Sequence, residues 1–377
     1  MGQPNALAKD RRAGAWVGWT GAVERAPFPR PAPASGMLKP ALIAGVAAAT
    51  GLAAVLNYRR GRAAERAHPP IGRFIDVDGV RVHYLDEGNG PPLVLLHGNG
   101  AMVDDYVLSG LVDRLAQEYR VIAIDRPGFG YTERPRTRVW TATAQARLLH
   151  RAVRRLGAEK PLVIGHSWGA IVAMSWALAH EREIAGVVLM SGYYYPTARL
   201  DVLAFSPPGI PVIGDLMRYT ISPPLGRLIA PKLIQRIFAP CPVPARFARG
   251  FPLGLSLRPW QLRASAEEVG LMIPGAAMDQ DRYRNLRLPV TIITGADDEI
   301  IAPTRQSVRL HRDIPHSELH VLPGLGHMIH YFAQDEIAAS VAAMLRHTDA
   351  RGEDRVRPHV PQANHAADAV VNSPAAY

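Results

Sequence analysis

The chain has 377 residues, 48% hydrophobic and 20% charged, a composition that allows a large buried core and is typical of globular proteins. A single cysteine, Cys241, excludes an internal disulfide framework. The formal net charge is +10, but residues 1–66 alone hold ten Lys/Arg and three Asp/Glu. Most of the excess positive charge therefore precedes the part of the chain with a globular pattern. No DNA-binding motif accompanies these basic residues, so we expect no nucleic-acid partner.

Two segments precede the globular pattern. Residues 1–36 are rich in Pro, Ala and Arg, and we predict a disordered extension. Residues 37–58 contain an uncharged run from Ala41 to Leu56; because about 20 apolar residues cross a bilayer core, we predict a transmembrane anchor. Arginines follow at 59, 60, 62 and 66, which favours a membrane-anchored protein with the domain that follows on the cytoplasmic side. A buried core helix and a signal peptide are the alternatives.

From Ile71 onward, strand and helix patterns alternate. The stretch FIDVDGVRVHYLDEG predicts a hairpin that turns at Asp78-Gly79. Unbroken apolar runs, typical of parallel strands buried on both faces, then end at Gly, Asp or Ser. These runs are PLVLLHGNG, RVIAIDRPGFG, PLVIGHSWG, IAGVVLMSG and PVTIITGADD. Helix-length segments at 108–119 and 141–156 separate them, which predicts an α/β fold with a mostly parallel sheet flanked by helices.

The spacing changes after Tyr195, where about ninety residues precede the next strand instead of the dozen or so of a crossover helix. We predict a helical cap here, with helices at 225–238 and 264–272. The stretch 199–263 holds nine basic residues and two acids; it could face lipid headgroups, an anionic substrate or solvent. The predicted division is core at 71–196, cap or lid at 197–286, core again at 287–347 and a disordered tail at 348–377.

Ser167 lies where the apolar run PLVI meets a helix pattern, between Gly165 and Gly169. A serine hydroxyl becomes a useful nucleophile when it is held exposed beside a general base, with backbone N–H groups aimed at the developing oxyanion. A strand-to-helix elbow provides this arrangement, because small neighbours allow the tight turn and the helix N-terminus adds a favourable dipole. The pattern GxSxG is weak by itself, but its context here is the one that the chemistry requires.

A base and its orienting acid are expected later in the chain, at the ends of strands. The stretch TIITGADDEIIAP ends a strand at Gly295 and continues with Asp297 and Asp298. The stretch HVLPGLGHMIH places His327 in a Gly-rich loop, 29 residues beyond Asp298. The order Ser, Asp, His is one of the known arrangements of nucleophile, acid and base.

With these motifs the chain resembles the α/β-hydrolase superfamily, in the branch of capped esterases, C–C bond hydrolases, cofactor-free haloperoxidase-type enzymes and epoxide hydrolases. The resemblance covers residues 71–347 and rests on HGNG, DRPGFG, GHSWG, GADDEIIAP and GLGH. It implies an eight-stranded sheet with the cap inserted after the sixth strand. It also implies that Ser167 is the nucleophile and His327 the base, and it favours Asp298 over Asp297 as the acid because the family's acid usually lies three residues after the glycine.

The resemblance further implies an oxyanion hole formed by the backbone N–H groups of Asn99 and Trp168. Two features depart from the family's pattern. Epoxide hydrolases and haloalkane dehalogenases of this branch use an aspartate at the position of Ser167, and serine instead suits attack on an acyl carbon. Asn99 is polar where relatives often carry an aromatic or apolar residue.

These observations predict a serine hydrolase that cleaves an ester, thioester or similar activated carbonyl of a small, apolar acyl substrate through an acyl-enzyme. The sequence contains no Cys/His ligand spacing, phosphate-binding loop or Rossmann fingerprint, so we expect no metal and no cofactor. A C–C bond hydrolase or a perhydrolase of the haloperoxidase type, with the same triad, is an alternative. A catalytically inactive, membrane-tethered binding protein is an alternative from another class.

Overall fold

A computed structural model describes the backbone of residues 38–356 and the side chains of residues 40–346. The predicted extension at residues 1–36 lies outside these residues. The chain divides into two units, residues 1–48 and 49–377. Helix α1, Leu38–Ala67, begins in the first unit and ends in the second. Its stretch Pro40–Ala67 is long and apolar enough to cross a membrane, since an 18-residue window within it has a mean hydropathy of 1.7.

Helix α1 extends nine residues beyond the predicted end at residue 58. The added turns, RRGRAAERA, consist largely of Arg, Ala and Glu, which are strong helix formers. The helix therefore has an apolar part followed by a basic, water-compatible part.

The second unit is built on an eight-stranded sheet with strand order β1-β2-β4-β3-β5-β6-β7-β8. β1 and β2 form the predicted antiparallel hairpin, and β2 also pairs antiparallel with β4. All other pairs are parallel, which confirms the predicted fold class. The strands are β1 Arg73–Val77, β2 Val80–Glu87, β3 Pro92–Leu96, β4 Arg120–Ile124, β5 Leu162–His166, β6 Gly186–Met190, β7 Val290–Gly295 and β8 Glu318–Leu322.

Helices cover both faces of the sheet, and those between β6 and β7 form the cap, after the sixth strand as predicted. The core helices are α2 Val103–Ser109, α3 Leu111–Leu115, α4 Ala142–Arg155, α5 Trp168–His180, α12 Ser307–Asp313 and α13 Gln334–Val356. The cap helices are α6 Leu200–Phe205, α7 Ile213–Tyr219, α8 Ser222–Phe238, α9 Ala245–Gly250, α10 Leu253–Ser256 and α11 Pro259–Asp279.

Other helix predictions also differ from the structure in their bounds, and the expected cap helix at 264–272 is only the middle of α11. The expected helix at 108–119 is divided into α2 and α3 at Gly110, whose φ of 82° an unbroken helix does not permit. The last helix continues to Val356, so the first nine residues of the predicted disordered tail are helical. The rest of that tail lies outside the described residues.

The sheet separates two hydrophobic cores. One lies beneath α4 and α5, and the other beneath α2, α3 and α13. β5 and β6 are buried along their whole length, because both of their faces contact helices. This burial explains their unbroken apolar sequences. It also makes the carboxyl ends of the parallel strands a rigid edge on which functional side chains can be positioned.

Candidate active site

Ser167 occupies a strained turn between β5 and α5, with φ 53° and ψ −116°. A Cβ atom on Gly169 would lie 2.0 Å from the carbonyl oxygen of Leu96, and one on Gly165 would lie 2.5 Å from that of Gly169. Both glycines are therefore required by close backbone packing. Such a backbone conformation costs about 1–3 kcal/mol and is maintained when the surrounding structure determines it.

The hydroxyl of Ser167 and the carboxylate of Asp298 lie on opposite sides of the His327 imidazole. His327 Nε2 is 2.9 Å from Ser167 Oγ, and His327 Nδ1 is 2.8 Å from Asp298 Oδ2. The other oxygen of Asp298 accepts the backbone N–H groups of Ile300 and Ile301 at 2.8 and 2.9 Å. Asp298 is fully buried, whereas Ser167 is half-buried. This arrangement can accept a proton from the serine and stabilise the resulting imidazolium.

Asp297, the alternative acid, has a different environment. Its carboxylate is exposed and accepts the backbone N–H of Gly324 at 3.0 Å. That hydrogen bond ties the β7 turn to the loop that carries His327. Asp298 is therefore the carboxylate that the structure places against His327, and its role as the catalytic acid stays a prediction from the family resemblance.

The two residues expected to form an oxyanion hole lie beside Ser167. Trp168 begins α5, so its backbone N–H belongs to the first helical turn, which has no partner within the helix. Asn99 follows Gly98, where an added Cβ would lie only 3.3 Å from Ser167 Cβ. The loop that carries Asn99 therefore passes close to Ser167.

The side chain of Asn99 is directed at the cap. Its Nδ2 donates to the carbonyl oxygen of Ser265 and to Glu268 Oε2, each at 3.1 Å, and its Oδ1 accepts the Ser265 hydroxyl. Both partners belong to α11. The amide thus connects the oxyanion loop to the cap, which accounts for a polar residue at this position.

A buried ion pair beneath this loop was missed by sequence reasoning. Arg126 and Glu268 are both fully buried and form two hydrogen bonds with each other. Arg126 also donates to the carbonyl oxygens of His97 at 2.7 Å and Gly98 at 3.0 Å, while Gln145 donates to Glu268 at 2.8 Å. The pair therefore fixes the oxyanion loop to the cap. No sequence signal connects residues that are 142 positions apart.

Two buried histidines near the site are held in their neutral form. His97 accepts the Arg126 backbone N–H at its Nε2 and donates from Nδ1 to the Gly98 carbonyl; burial and then the Arg126 charge lower its pKa to about 3. His166 Nε2 is 3.0 Å from the carbonyl oxygen of His327. Burial, followed by neighbouring His330 and His327, lowers the pKa of His166 well below its usual value. A neutral His166 donates to that carbonyl and thereby holds the His327 loop.

Two groups among the described residues have ligand-type side chains close enough to hold a metal ion: Asp105, His166 and His330, and His150, His180 and Glu183. Hydrogen bonds within each group use some of these ligand atoms, whereas His166 Nδ1 and His330 Nδ1 are buried without a hydrogen-bond partner. His330 pairs with Asp105 at 3.0 Å, and both His150 and His180 pair with Glu183, at 3.0 and 3.1 Å. Among the described residues, the hydrogen-bond partner of Ser167 Oγ is His327, which belongs to neither group.

We expect acid to destabilise the fold through these neutral histidines. The folded-state pKa of His97, about 3, lies below the unfolded value of about 6.5. As the pH falls from 6.5 toward 3, the unfolded chain therefore binds the extra proton, and each such histidine removes up to about 1.4 kcal/mol of unfolding free energy per pH unit. Asp104 has the opposite effect on stability, because burial raises its pKa to about 6. Between pH 6 and the lower pKa of the unfolded chain, the folded chain binds the extra proton, so a fall in pH there increases the unfolding free energy.

Urea unfolding of the full chain in detergent at pH 7, 6, 5 and 4 measures this dependence. The variant His97→Gln has no titrating group at this position, so its unfolding free energy should fall less steeply than that of the parent. Equal slopes for the two proteins would contradict the assignment of a neutral, buried His97.

Comparison with known proteins agrees with this fold. Residues 91–334 match the model of the alpha/beta hydrolase fold family. The chain belongs to this family, and it is a hydrolase.

Haloalkane dehalogenase 2 of Mycobacterium tuberculosis is 27% identical over 286 residues, which cover 73% of this chain and 94% of the relative. The 2-hydroxymuconate semialdehyde hydrolase of Pseudomonas sp. strain CF600 is 29% identical, over 74% of this chain and 93% of the relative. A crystal structure of a membrane phospholipase A, described as a bacterial virulence factor, superposes with a TM-score of 0.57 at 20% identity, over 83% of this chain and 98% of that chain.

Proposed function

We propose that this hydrolase cleaves an ester, thioester or similar activated carbonyl of an apolar acyl substrate through an acyl-enzyme intermediate. The observation that carries the proposal is the hydrogen-bonded series Ser167, His327 and Asp298 at the carboxyl edge of the sheet. A poised serine without an adjacent base would support only a binding role, so this geometry argues against the inactive, tethered binding protein.

In the proposed reaction, Ser167 Oγ attacks the acyl carbon while His327 Nε2 takes the hydroxyl proton. Asp298 holds the imidazole in the required tautomer, and the backbone N–H groups of Asn99 and Trp168 stabilise the oxyanion. The protonated His327 then gives its proton to the leaving alcohol or thiol. A water molecule, deprotonated by His327, cleaves the acyl-enzyme and releases the acid and the free serine.

The dehalogenase relative does not change this proposal. Haloalkane dehalogenases use an aspartate at the position of Ser167, because a carboxylate can displace a halide from an sp³ carbon and form an ester that water cleaves. The alkoxide of a serine would instead form a stable ether at such a carbon. We therefore propose acyl chemistry at this site.

C–C bond hydrolysis is the second candidate, and the similarity to 2-hydroxymuconate semialdehyde hydrolase favours it. Such an enzyme can use the same triad, so the geometry of Ser167, His327 and Asp298 does not distinguish the two reactions. The substrate contacts beneath the cap decide between them.

We further propose that α1 anchors the protein in a membrane. Its apolar part is followed at once by Arg59, Arg60, Arg62 and Arg66, which favours a cytoplasmic location for the catalytic unit. The structural likeness to a membrane phospholipase A supports this proposal at the level of the fold.

The full-length protein in detergent, assayed with p-nitrophenyl esters of increasing acyl length, tests the proposed reaction. We expect turnover with a chain-length optimum that reflects the size of the acyl pocket, and no halide release from 1-chlorobutane. Cleavage of 2-hydroxymuconate semialdehyde without hydrolysis of any ester would favour the C–C hydrolase. A folded protein that is inactive in both assays would contradict the proposed function.

A further inference from the structure

The first part of the cap exposes many large apolar side chains. Between residues 200 and 233, eleven Leu, Ile, Val and Phe side chains are 43–86% exposed, whereas the rest of the globular unit beyond α1 exposes only five comparable side chains among its described residues. We call this set the cap apolar face; it consists of Leu200, Leu203, Phe205, Ile210, Val212, Ile213, Leu216, Ile221, Leu225, Leu228 and Leu233. Apolar patches on this scale mark interaction surfaces, since water strongly disfavours them.

Part of the cap apolar face lies against the membrane-anchor helix. Ala49, Thr50 and Ala53 of α1 line one side of a groove whose other side includes Ile213, Leu216 and Ile221. Asn57 is buried and donates from Nδ2 to the carbonyl oxygens of Tyr219 and Thr220, both at 2.9 Å. These contacts fix the position of the cap along the axis of α1.

The position along α1 determines the depth of the cap in a bilayer. Ala53 and Ala49 precede Arg59 by six and ten residues, which corresponds to about 9 and 15 Å along a helix axis. If Arg59 lies at the headgroups, the groove lies at the depth of the acyl chains, because one leaflet contributes about 15 Å of hydrocarbon. The exposed side chains of α1 in this stretch, Leu52, Val55 and Leu56, then share that depth.

The charge of the cap complements an anionic membrane. No acidic residue occurs between Asp215 and Glu267, whereas the same stretch contains eight Lys and Arg. On α8, Arg227, Lys232 and Arg236 are exposed beside the apolar residues of the face. Long basic side chains can place their stems along acyl chains and their charges at lipid phosphates.

We propose that the cap apolar face is embedded in the acyl layer of an anionic phospholipid bilayer, with the basic residues of α8 at the headgroups. This inference rests on the proposed membrane anchoring of α1. The face is connected to the active site, because α11 contacts α7 and also holds Asn99 through Ser265. The bilayer therefore orients the cap above the site, in agreement with an apolar acyl substrate.

Lipid quenching of single labels on the full-length protein tests the proposal. In a Cys241→Ser background, cysteine replaces Leu203 or Leu228 on the cap apolar face, Leu52 on α1, or the exposed Val321 on β8 as a matched control. Each protein carries an NBD fluorophore and is reconstituted into vesicles of phosphatidylcholine and phosphatidylglycerol, with or without brominated acyl chains. Circular dichroism checks that each variant is folded.

We expect brominated lipid to reduce the emission of the labels at 203, 228 and 52, but not that of the label at 321. Quenching at 52 without quenching at 203 and 228 would leave the anchor in place and overturn the inference. The absence of quenching at all four positions would contradict both the membrane anchoring of α1 and the embedding of the cap apolar face. Blue-shifted but unquenched emission at 203 and 228 would mean that a second copy or another protein covers the face, which also contradicts the proposal.

Vesicles without anionic lipid test whether the basic residues of the cap contribute to membrane binding. In vesicles of phosphatidylcholine alone, the labels at 203 and 228 should be quenched less, while quenching at 52 should be unchanged. Equal quenching of the cap labels in both lipids would overturn the preference for anionic phospholipid.

Discussion

Replacement of Ser167 by alanine is expected to lower kcat for ester hydrolysis by about 10⁴–10⁶-fold, since the members of a triad act as a unit. The backbone should be little changed, because alanine retains the Cβ atom and the elbow is held by Gly165 and Gly169. The variant should also lose covalent labelling by a fluorophosphonate, which reacts with the activated serine of the parent. Steady-state kinetics and mass spectrometry of the labelled protein measure both effects.

The neighbouring aspartates supply a matched control for the proposed triad. Asp298→Asn should lower kcat by about 10³–10⁴-fold, because an amide does not hold His327 in the required tautomer. Asp297→Asn should retain near-parental activity, since the Asp297 side chain is exposed and an amide oxygen can still accept the Gly324 N–H. If Ser167→Ala retained activity and labelling, or if Asp297→Asn were the more severe variant, the assignment of the triad would be wrong.

The second large effect is expected at the buried pair of Arg126 and Glu268. Arg126→Met leaves the Glu268 carboxylate buried without its partner, so we expect a loss of about 3–5 kcal/mol of unfolding free energy. The carbonyl oxygens of His97 and Gly98 also lose donors, which should displace the oxyanion loop and lower kcat more than it changes KM. Urea unfolding and ester kinetics measure the two consequences.

Two comparison variants test the cause of that loss. The double variant Arg126→Met with Glu268→Met removes both charges and should recover much of the stability, because apolar residues of similar size often replace a buried pair without cost. Arg136→Gln removes a largely exposed partner of Asp215 and should cost less than about 1 kcal/mol. A double variant no more stable than Arg126→Met would contradict a role for the unpaired charge.

The local features of the chain were predictable because short-range rules control them. The hairpin at Asp78-Gly79 follows from residues that tolerate positive φ, which are 52° and 73° here. The parallel strands follow from apolar runs buried on both faces. Ser167, Asp298 and His327 were predicted from motifs at strand ends, and the structure places their side chains within hydrogen-bond distance, while their catalytic roles stay predictions.

The sequence by itself thus determined the fold class, the place of the cap and the residues at the carboxyl edge of the sheet, because each depends on local periodicity and on turn chemistry. The tertiary structure decided which distant groups meet. Arg126 pairs with Glu268 across 142 positions, and Asn57 of α1 donates to the cap backbone at Tyr219. No local pattern specifies such contacts, because they depend on how the cap folds back over the sheet and on which polar groups that packing removes from water.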